Sequence, residues 1–313
     1  MAHTGSAALE NRFTKVSAES THLLLVNPSA GGGRTSKLLP HAQAGLADGG
    51  VEHRLVLTEN ITHGRDEARR AAERGQTVIV MSGDGLIGQV GGELANTRSA
   101  LGIIPGGRGN DFARVVGIPD DVEEAAGIIA AGATRQIDVG EANGVRYLCI
   151  ASCGFDSDAN RIANEAKRVK GPVVYAYAAL RALAAWKPAT FTLTLDGERV
   201  EVVTGYTVAA ANTKAYGGGM IAAPTAVPDD GLLEVGASGN VSKLRFLRGL
   251  GQIFKGEHLE TLKVQTWQAS EVLIEANRPF SVYADGDPVA DLPVTVRILP
   301  KALRVIVPPD SAP

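Results

Sequence analysis

Along the first 135 residues, short aliphatic runs alternate with segments whose apolar positions recur at helical spacing. Leu23-Leu24-Leu25-Val26 reads as a buried strand with a helix from about Thr35, and Val51 to Leu57, Val78 to Met81 and Leu101 to Ile104 read as further strands. Thr62 caps a helix whose small apolar face is Ala68, Ala71 and Ala72, at i, i+3 and i+4. Asp120, with Glu123 three residues on, opens a helix bearing Val122, Ala125, Ala126 and Ile129, which Gly132 stops. Strand and helix in alternation predict an α/β unit on a parallel sheet. Past Arg135 the pattern changes to strand after strand: Phe191 to Leu195, Val200 to Asn212, Leu232 to Gly236, Val272 to Glu275, Phe280 to Ala284 and the alternating Val294 to Ile298. With turn signals such as Asp196-Gly197 between them, these runs read as a sheet sandwich.

Composition adjusts this picture in three places. The chain has 313 residues, which suits two domains, and its balance of 31 basic and 34 acidic side chains argues against nucleic acid as a partner. Cys149 and Cys153 match no metal or redox spacing and read as reduced core thiols of a cytoplasmic protein. Residues 1–21 read as a flexible tail without an export signal, and Val173 to Trp186, interrupted by Arg181, is too short to span a bilayer. Glycine, at 37 residues, exceeds its usual share of about 7% and needs a location.

That location is the turns that follow three of the strands. They are Asn27-Pro28-Ser29-Ala30-Gly31-Gly32-Gly33-Arg34, Ser82-Gly83-Asp84-Gly85, and Pro105-Gly106-Gly107-Arg108-Gly109-Asn110-Asp111. In a parallel sheet all three lie at carboxyl ends of strands, where backbone N–H groups and helix N-termini cradle phosphate oxygens. The P-loop pattern GxxxxGK[ST] is absent. Gly83 to Gly88 fits GxGxxG, yet no carboxylate stands near Ile103 to Pro105, where a dinucleotide fold needs one for the ribose. Asp84, an acid inside the tightest turn, points instead to Mg²⁺ and phosphoryl transfer.

From about Leu23 to Val307 the sequence resembles the catalytic domain shared by diacylglycerol kinases and sphingosine kinases. The resemblance is carried by the three turns and by Gly154-Phe155-Asp156, Tyr216-Gly217-Gly218-Gly219-Met220, Pro224 through Leu233 with Asp229-Asp230-Gly231, and Asp285-Gly286-Asp287, all in the family's order. It implies an α/β N-terminal nucleotide-binding domain of the NAD-kinase and diacylglycerol-kinase kind, residues 22–135 with about 297–308 returning to it. It also implies a C-terminal β-sandwich domain, residues 136–296, whose crevice takes a lipid. The implied reaction is ATP-dependent phosphorylation of a lipid hydroxyl, diacylglycerol to phosphatidic acid, with a sphingoid base as the alternative acceptor.

Carried over by motif, the ATP-binding residues are Asn27, Pro28, Ser29, Ala30, Gly31 and Arg34 of the first turn, Thr58, Gly83, Asp84, Gly85 and Leu86 around the second, and Arg108, Gly109, Asn110 and Asp111 of the third. Asp84 would orient nucleotide and Mg²⁺, Asp287 stands at the position of the catalytic base, and Asp285 is its alternative. A structural Mg²⁺ is implied at Asp230, through water, with the carbonyls of Val227 and Leu232. The sequence departs from the family at Leu86, Gly88 and Gln89, at Arg108 in place of a hydroxyl residue, and at Asp287 in place of Glu. Arg108 either clamps phosphate or pairs with Asp111 or Asp84. The same departures leave room for a catalytically impaired nucleotide- or lipid-binding protein, and the second turn is shared with NAD kinases. Val241 to Lys255 reads as an amphipathic helix with Leu244, Leu247, Leu250 and Phe254 against Lys243, Arg245, Arg248 and Lys255, and Lys167, Arg168 and Lys170 add charge upstream. Such surfaces suit peripheral contact with an anionic membrane face.

Overall fold

The computed structural model describes residues 21–155, 157, 158, 181 and 183–311. The N-terminal tail, Asp156 and the basic residues Lys167, Arg168 and Lys170 fall outside the described residues.

Four short aliphatic runs form the parallel strands β1 (His22–Val26), β2 (His53–Leu57), β3 (Thr77–Ser82) and β4 (Ala100–Pro105). They pair in the order β4-β3-β1-β2. Helices α1 (Ala30–Asp48), α2 (Ile61–Glu73), α3 (Asp84–Leu94), α4 (Asp111–Val115) and α5 (Val122–Ala131) join and cover them. Two helix starts differ from the sequence reading. Asn60, not Thr62, caps α2, its Oδ1 accepting from His63 N at 2.9 Å. Asp121, not Asp120, caps α5 by accepting from the amides of Glu123 and Glu124, both at 3.0 Å. Asp120 instead accepts from Asn110 Nδ2 at 2.8 Å, so an acid that resembles a cap anchors the third glycine turn. Gly132 ends α5 with φ at +69°, as its position predicts.

The remaining strands are β5 (Thr134–Ala142), β6 (Val145–Tyr147), β7 (Ile150–Gly154), β8 (Ala189–Leu195), β9 (Arg199–Ala211), β10 (Ala215–Tyr216), β11 (Met220–Ile221), β12 (Leu233–Gly239), β13 (Gln265–Ala269), β14 (Glu271–Ala276), β15 (Ser281–Ala284), β16 (Asp287–Asp291) and β17 (Val294–Ile306). Helices α6 (Lys243–Gln252) and α7 (His258–Thr261) lie between β12 and β13. In β8 the alternation is complete, with Ala189, Phe191, Leu193 and Leu195 buried and the threonines between them half-exposed. Strand β17 belongs to both parts of the molecule. Its first residues pair antiparallel with β14, and Arg304 and Val305 pair parallel with Ala100 and Leu101 of β4. It also runs antiparallel to β5 along most of its length.

Two apolar cores result. One joins the parallel strands to α1, α3 and α5, and the other fills the sandwich around Phe191, Tyr206, Trp186, Phe246 and Phe280. Cys149 lies in the first and Cys153 in the second, both buried and reduced. Among the described residues no helix is long and apolar enough to cross a membrane.

Candidate functional site: three glycine turns facing a sandwich hairpin

The three glycine turns meet at the carboxyl edge of the parallel sheet because their glycines touch. A Cβ on Gly31 would stand 2.5 Å from the carbonyl oxygen of Gly106, and one on Gly107 would stand 2.5 Å from Cα of Gly83. Any side chain at these positions would pry the turns apart. Gly31, Gly32 and Gly33 also adopt φ of +61°, +71° and +90° in succession, so the regular part of α1 begins only beyond them. Asn27 fixes the first turn by accepting from Ser29 N at 3.0 Å, and Thr35 and Ser36 donate back to the carbonyls of Asn27 and Pro28. Asn110 fixes the third turn, its Oδ1 accepting from Gly107 N at 2.9 Å.

This edge is rich in donors. Helix α3 starts from Gly83, so its first-turn amides have no capping side chain. Arg34 and Arg108 are exposed on the same rim and make no ion pair among the described residues, and Nη2 of Arg108 lies 3.7 Å from where a Gly32 Cβ would be. Arg108 therefore leans over the first turn; the cation that pairs with Asp111 is Arg114, at 3.0 Å. Two residues of the motif set point elsewhere. Leu86 is buried in the core, packed on the Gly64 position of α2, so only its backbone faces the edge. Thr58 is buried and gives its hydroxyl to the carbonyl of Val26 at 3.2 Å.

Five aspartates organise the site, Asp84 and Asp111 from the glycine turns and Asp138, Asp285 and Asp287 from the facing strands, and they divide by what their oxygens accept. Asp111 is 3% exposed and takes the amides of Gly218 and Gly219 at 2.6 and 2.7 Å, tying the third turn to the glycine loop between β10 and β11. Asp285, at a turn of φ +47° and +93° with Gly286, takes three amides: Leu148 N at 2.7 Å, and Cys149 N and Ile150 N at 3.0 Å. Desolvation still outweighs these bonds and pushes its pKa up to about 6. Asp138 is fully buried and takes the amides of Lys301 and Gly231 at 2.6 and 2.7 Å.

Asp84 and Asp287 are less engaged. Asp84 accepts from Phe112 N at 3.4 Å, at the start of α4. Burial, and then the charge of Asp111, hold its pKa above the usual carboxylate value despite the amides at the start of α4. Its carboxylate closes on Gly109, where a Cβ would be 2.8 Å from Oδ2. Asp287, half-exposed, accepts from Gln89 Nε2 at 3.4 Å. Helix α3 thus serves three of these acids: Asp84 begins it, Gly88 lies 3.2 Å (as a Cβ) from Asp285 Oδ2, and Gln89 reaches Asp287. Gly88 and Gln89, unusual in sequence, fit the hairpin they face.

At the other implied metal position, Asp230 is exposed and accepts from Leu232 N at 3.0 Å, while Asp229 pairs with Arg135 at 2.7 Å. Desolvation raises the pKa of the neighbouring Asp138, and the charges of Asp230 and Asp229 add to it. Among the described residues no three His, Cys, Asp or Glu side chains gather as a metal cage. The set that the resemblance implies here, one carboxylate with the Val227 and Leu232 carbonyls and water, would be all-oxygen, the ligand chemistry of a hydrated divalent ion.

Sequence reasoning marked Gln89 only as a departure from the family and passed over Asp138 and Asn212. Asn212 is fully buried and donates to the carbonyls of Asp138 and Leu148 at 2.9 and 2.8 Å, holding the strands that present Asp285's donors. The available signal was a polar residue ending or interrupting an apolar run, as in Ile137-Asp138-Val139 and Ala211-Asn212.

Comparison with known proteins agrees with this architecture. Residues 21–142 match the diacylglycerol kinase catalytic domain, and residues 149–307 match the YegS C-terminal NAD kinase beta sandwich-like domain. A diacylglycerol kinase of Mycobacterium tuberculosis is 37% identical over 292 residues, 91% of this chain and 94% of that protein. A YegS-like lipid kinase of Chromohalobacter salexigens is 32% identical over 78% of this chain and 80% of its own. A solved diacylglycerol kinase of Bacillus anthracis shares the fold with a TM-score of 0.74 at 23% identity, covering 96% of this chain and 100% of its own. An NAD kinase of Archaeoglobus fulgidus shares it more distantly, with a TM-score of 0.50 at 14% identity over 93% of this chain and 95% of its own. Two domain models that together span nearly all the described chain, and a relative at 37% identity, mean that the chain belongs to the diacylglycerol kinase family, a family of lipid kinases.

Proposed function

We propose that this protein transfers the γ-phosphoryl group of ATP to the free hydroxyl of diacylglycerol, giving phosphatidic acid. The observation that carries the reading is the division among the aspartates: the glycine turns and the hairpin meet along α3, and Asp84 and Asp287 accept only at 3.4 Å where the other acids accept at 3.0 Å or less. The glycine turns and the uncapped start of α3 offer backbone donors to the triphosphate, and Arg34 and Arg108 supply positive charge on its open side.

Asp84 suits a divalent ion, since it is a desolvated carboxylate with a second acid beside it and no cation paired to it among the described residues. Bound Mg²⁺ would neutralise charge on the transferring phosphates there, and a second, structural ion at Asp230 would stiffen the loop after Pro224. Asp287 takes the proton of the attacking hydroxyl as its oxygen bonds to the γ-phosphorus and the bond to the β–γ bridging oxygen breaks, releasing ADP. Gln89 stands beside Asp287 as a neutral amide donor, which steers the shorter side chain without adding a like charge. Asp285 cannot share that role while both its oxygens hold amides of residues 148–150.

Incubation with γ-labelled ATP, Mg²⁺ and mixed micelles of diacylglycerol should give labelled phosphatidic acid, lost in Asp84→Asn. Label in a sphingoid base, or in NAD with none in lipid, would replace the acceptor. ATP binding with no transfer to any of these would make the protein a nucleotide-binding relative without the reaction.

A further inference from the structure

Helix α6 has two unlike faces. Phe246 and Gly249 are buried against the sandwich, and a Cβ on Gly249 would run into Leu262. On the other face Leu244 is 79% exposed and Leu247 42%, and Phe254, in the 3-10 turn Ile253–Lys255 that follows, is 55% exposed. Large apolar side chains so close together in sequence and this open to water form a patch that calls for a partner.

Along α6 and its following turn the charge has one sign. From Lys243 to Lys255 the chain carries Lys243, Arg245, Arg248 and Lys255 and no acid. Lys243 donates to the carbonyl of Ala184 at 2.7 Å and Arg245 to the carbonyl of Thr261 at 2.6 Å, bonds that fix their position without neutralising them. Arg248 and Lys255 make no ion pair among the described residues. Glu257 and Glu260 line one shallow groove together with Leu244, Leu247, Arg245 and Arg248, so two acids stand beside the four basic side chains of this segment.

The patch is also joined to the site. Gly256, just after the 3-10 turn, packs on Ile221 and Pro224, its Cβ position lying 3.2 and 3.3 Å from them. Ile221 belongs to β11, the arm that follows the glycine loop gripped by Asp111. We propose that this face of α6 and its following turn docks on an anionic lipid surface, with Leu244, Leu247 and Phe254 entering the acyl boundary and Arg248 and Lys255 meeting headgroup phosphates. The proposal rests on the lipid-kinase reading for its purpose, but docking is measured without turnover, so each can fail alone.

The test is co-sedimentation of the full chain, without nucleotide, with phosphatidylcholine vesicles that contain or lack phosphatidylglycerol. Binding is expected to require the anionic lipid and to weaken with salt. Leu244→Asp/Phe254→Asp and Arg248→Glu/Lys255→Glu should each weaken it by roughly tenfold or more. Val200→Asp/Val202→Asp, which alters another exposed apolar pair on β9, should leave it intact. All three variants should phosphorylate a short-chain, monomerically dispersed diacylglycerol at the wild-type rate. If the α6 variants lose vesicle binding while no protein turns over diacylglycerol, docking stands and the acceptor assignment falls. Vesicle binding unchanged in both α6 variants overturns the proposal. So does a shift from dimer to monomer in Leu244→Asp/Phe254→Asp with vesicle binding unchanged, which would assign the face to a second copy of the chain.

Discussion

The two sides of the cleft are built from the same materials and use them in opposite ways. On the parallel-sheet side, glycines bring backbone segments into contact and the first-turn amides of α3 are left without a capping side chain. On the sandwich side, carboxylates consume the amides: Asp285 takes three and Asp138 two, and Asp111 reaches across from the third glycine turn to take two more. An anion such as ATP has a natural seat on the first side and none on the second. The comparison also sorts the acids. A carboxylate that holds several short amide bonds is fixed scaffold, and one whose bonds are all long is available for chemistry.

The largest effect should come from Asp84. Asp84→Asn keeps the side-chain shape, relieves the repulsion from Asp111, and should cut kcat by about 10³-fold or more while the protein stays folded, as steady-state kinetics with circular dichroism would show. If activity falls because the chain unfolds, the acid belongs with the scaffold and the sorting breaks. Asp285→Asn should behave in the opposite way. An amide offers one acceptor oxygen where three amides now bind, so the midpoint of urea unfolding should fall by the equivalent of about 2–3 kcal/mol.

That loss should depend on pH. The folded-state pKa of Asp285 lies at about 6, above the ordinary value of 3.8, so the folded state holds the proton more tightly than the unfolded chain. The resulting stabilisation is complete below about pH 4 and is lost as pH rises through about 6. Asparagine cannot titrate, so the gap between wild type and variant should narrow between these limits, measured by urea titration at each pH. A gap that widens with pH would contradict the desolvated carboxyl.

On the other side of the cleft, Gly107→Ala would put a methyl 2.5 Å from Cα of Gly83. It should raise KM for ATP several-fold, with a stability loss of about 1–3 kcal/mol. The smallest effect is expected at Gln89, whose amide meets Asp287 at 3.4 Å. Gln89→Ala should lower kcat less than about tenfold with the thermal midpoint unchanged, since one long hydrogen bond is worth about 1 kcal/mol.

The two sides also differed in how far they could be read from sequence. The parallel strands and their turns were legible because each turn is local: an apolar run ends, glycines follow, and a helix begins. The convergence of Gly31, Gly83 and Gly107 follows from the topology of a parallel sheet. The roles of Asp285 and Asp111 were not legible, because their partners lie more than 100 residues away in the chain and are backbone amides, which carry no residue-type signal. For the same reason Leu86 read as a ligand-facing residue although its side chain lies in the core. Thr62 read as the cap of α2, whereas Asn60, two residues earlier and in extended backbone, fills that place.

The sorting of the acids is tested most directly where two of them stand two residues apart on one hairpin. Asp285→Asn and Asp287→Asn should be measured side by side for kcat on diacylglycerol and for thermal midpoint. The account predicts that Asp287→Asn loses about 10²–10⁴-fold in kcat with its midpoint unchanged, whereas Asp285→Asn loses midpoint first and activity only as far as the hairpin shifts. An Asp287→Asn protein that keeps its rate but melts early, or an Asp285→Asn protein that is stable and inactive, would contradict it.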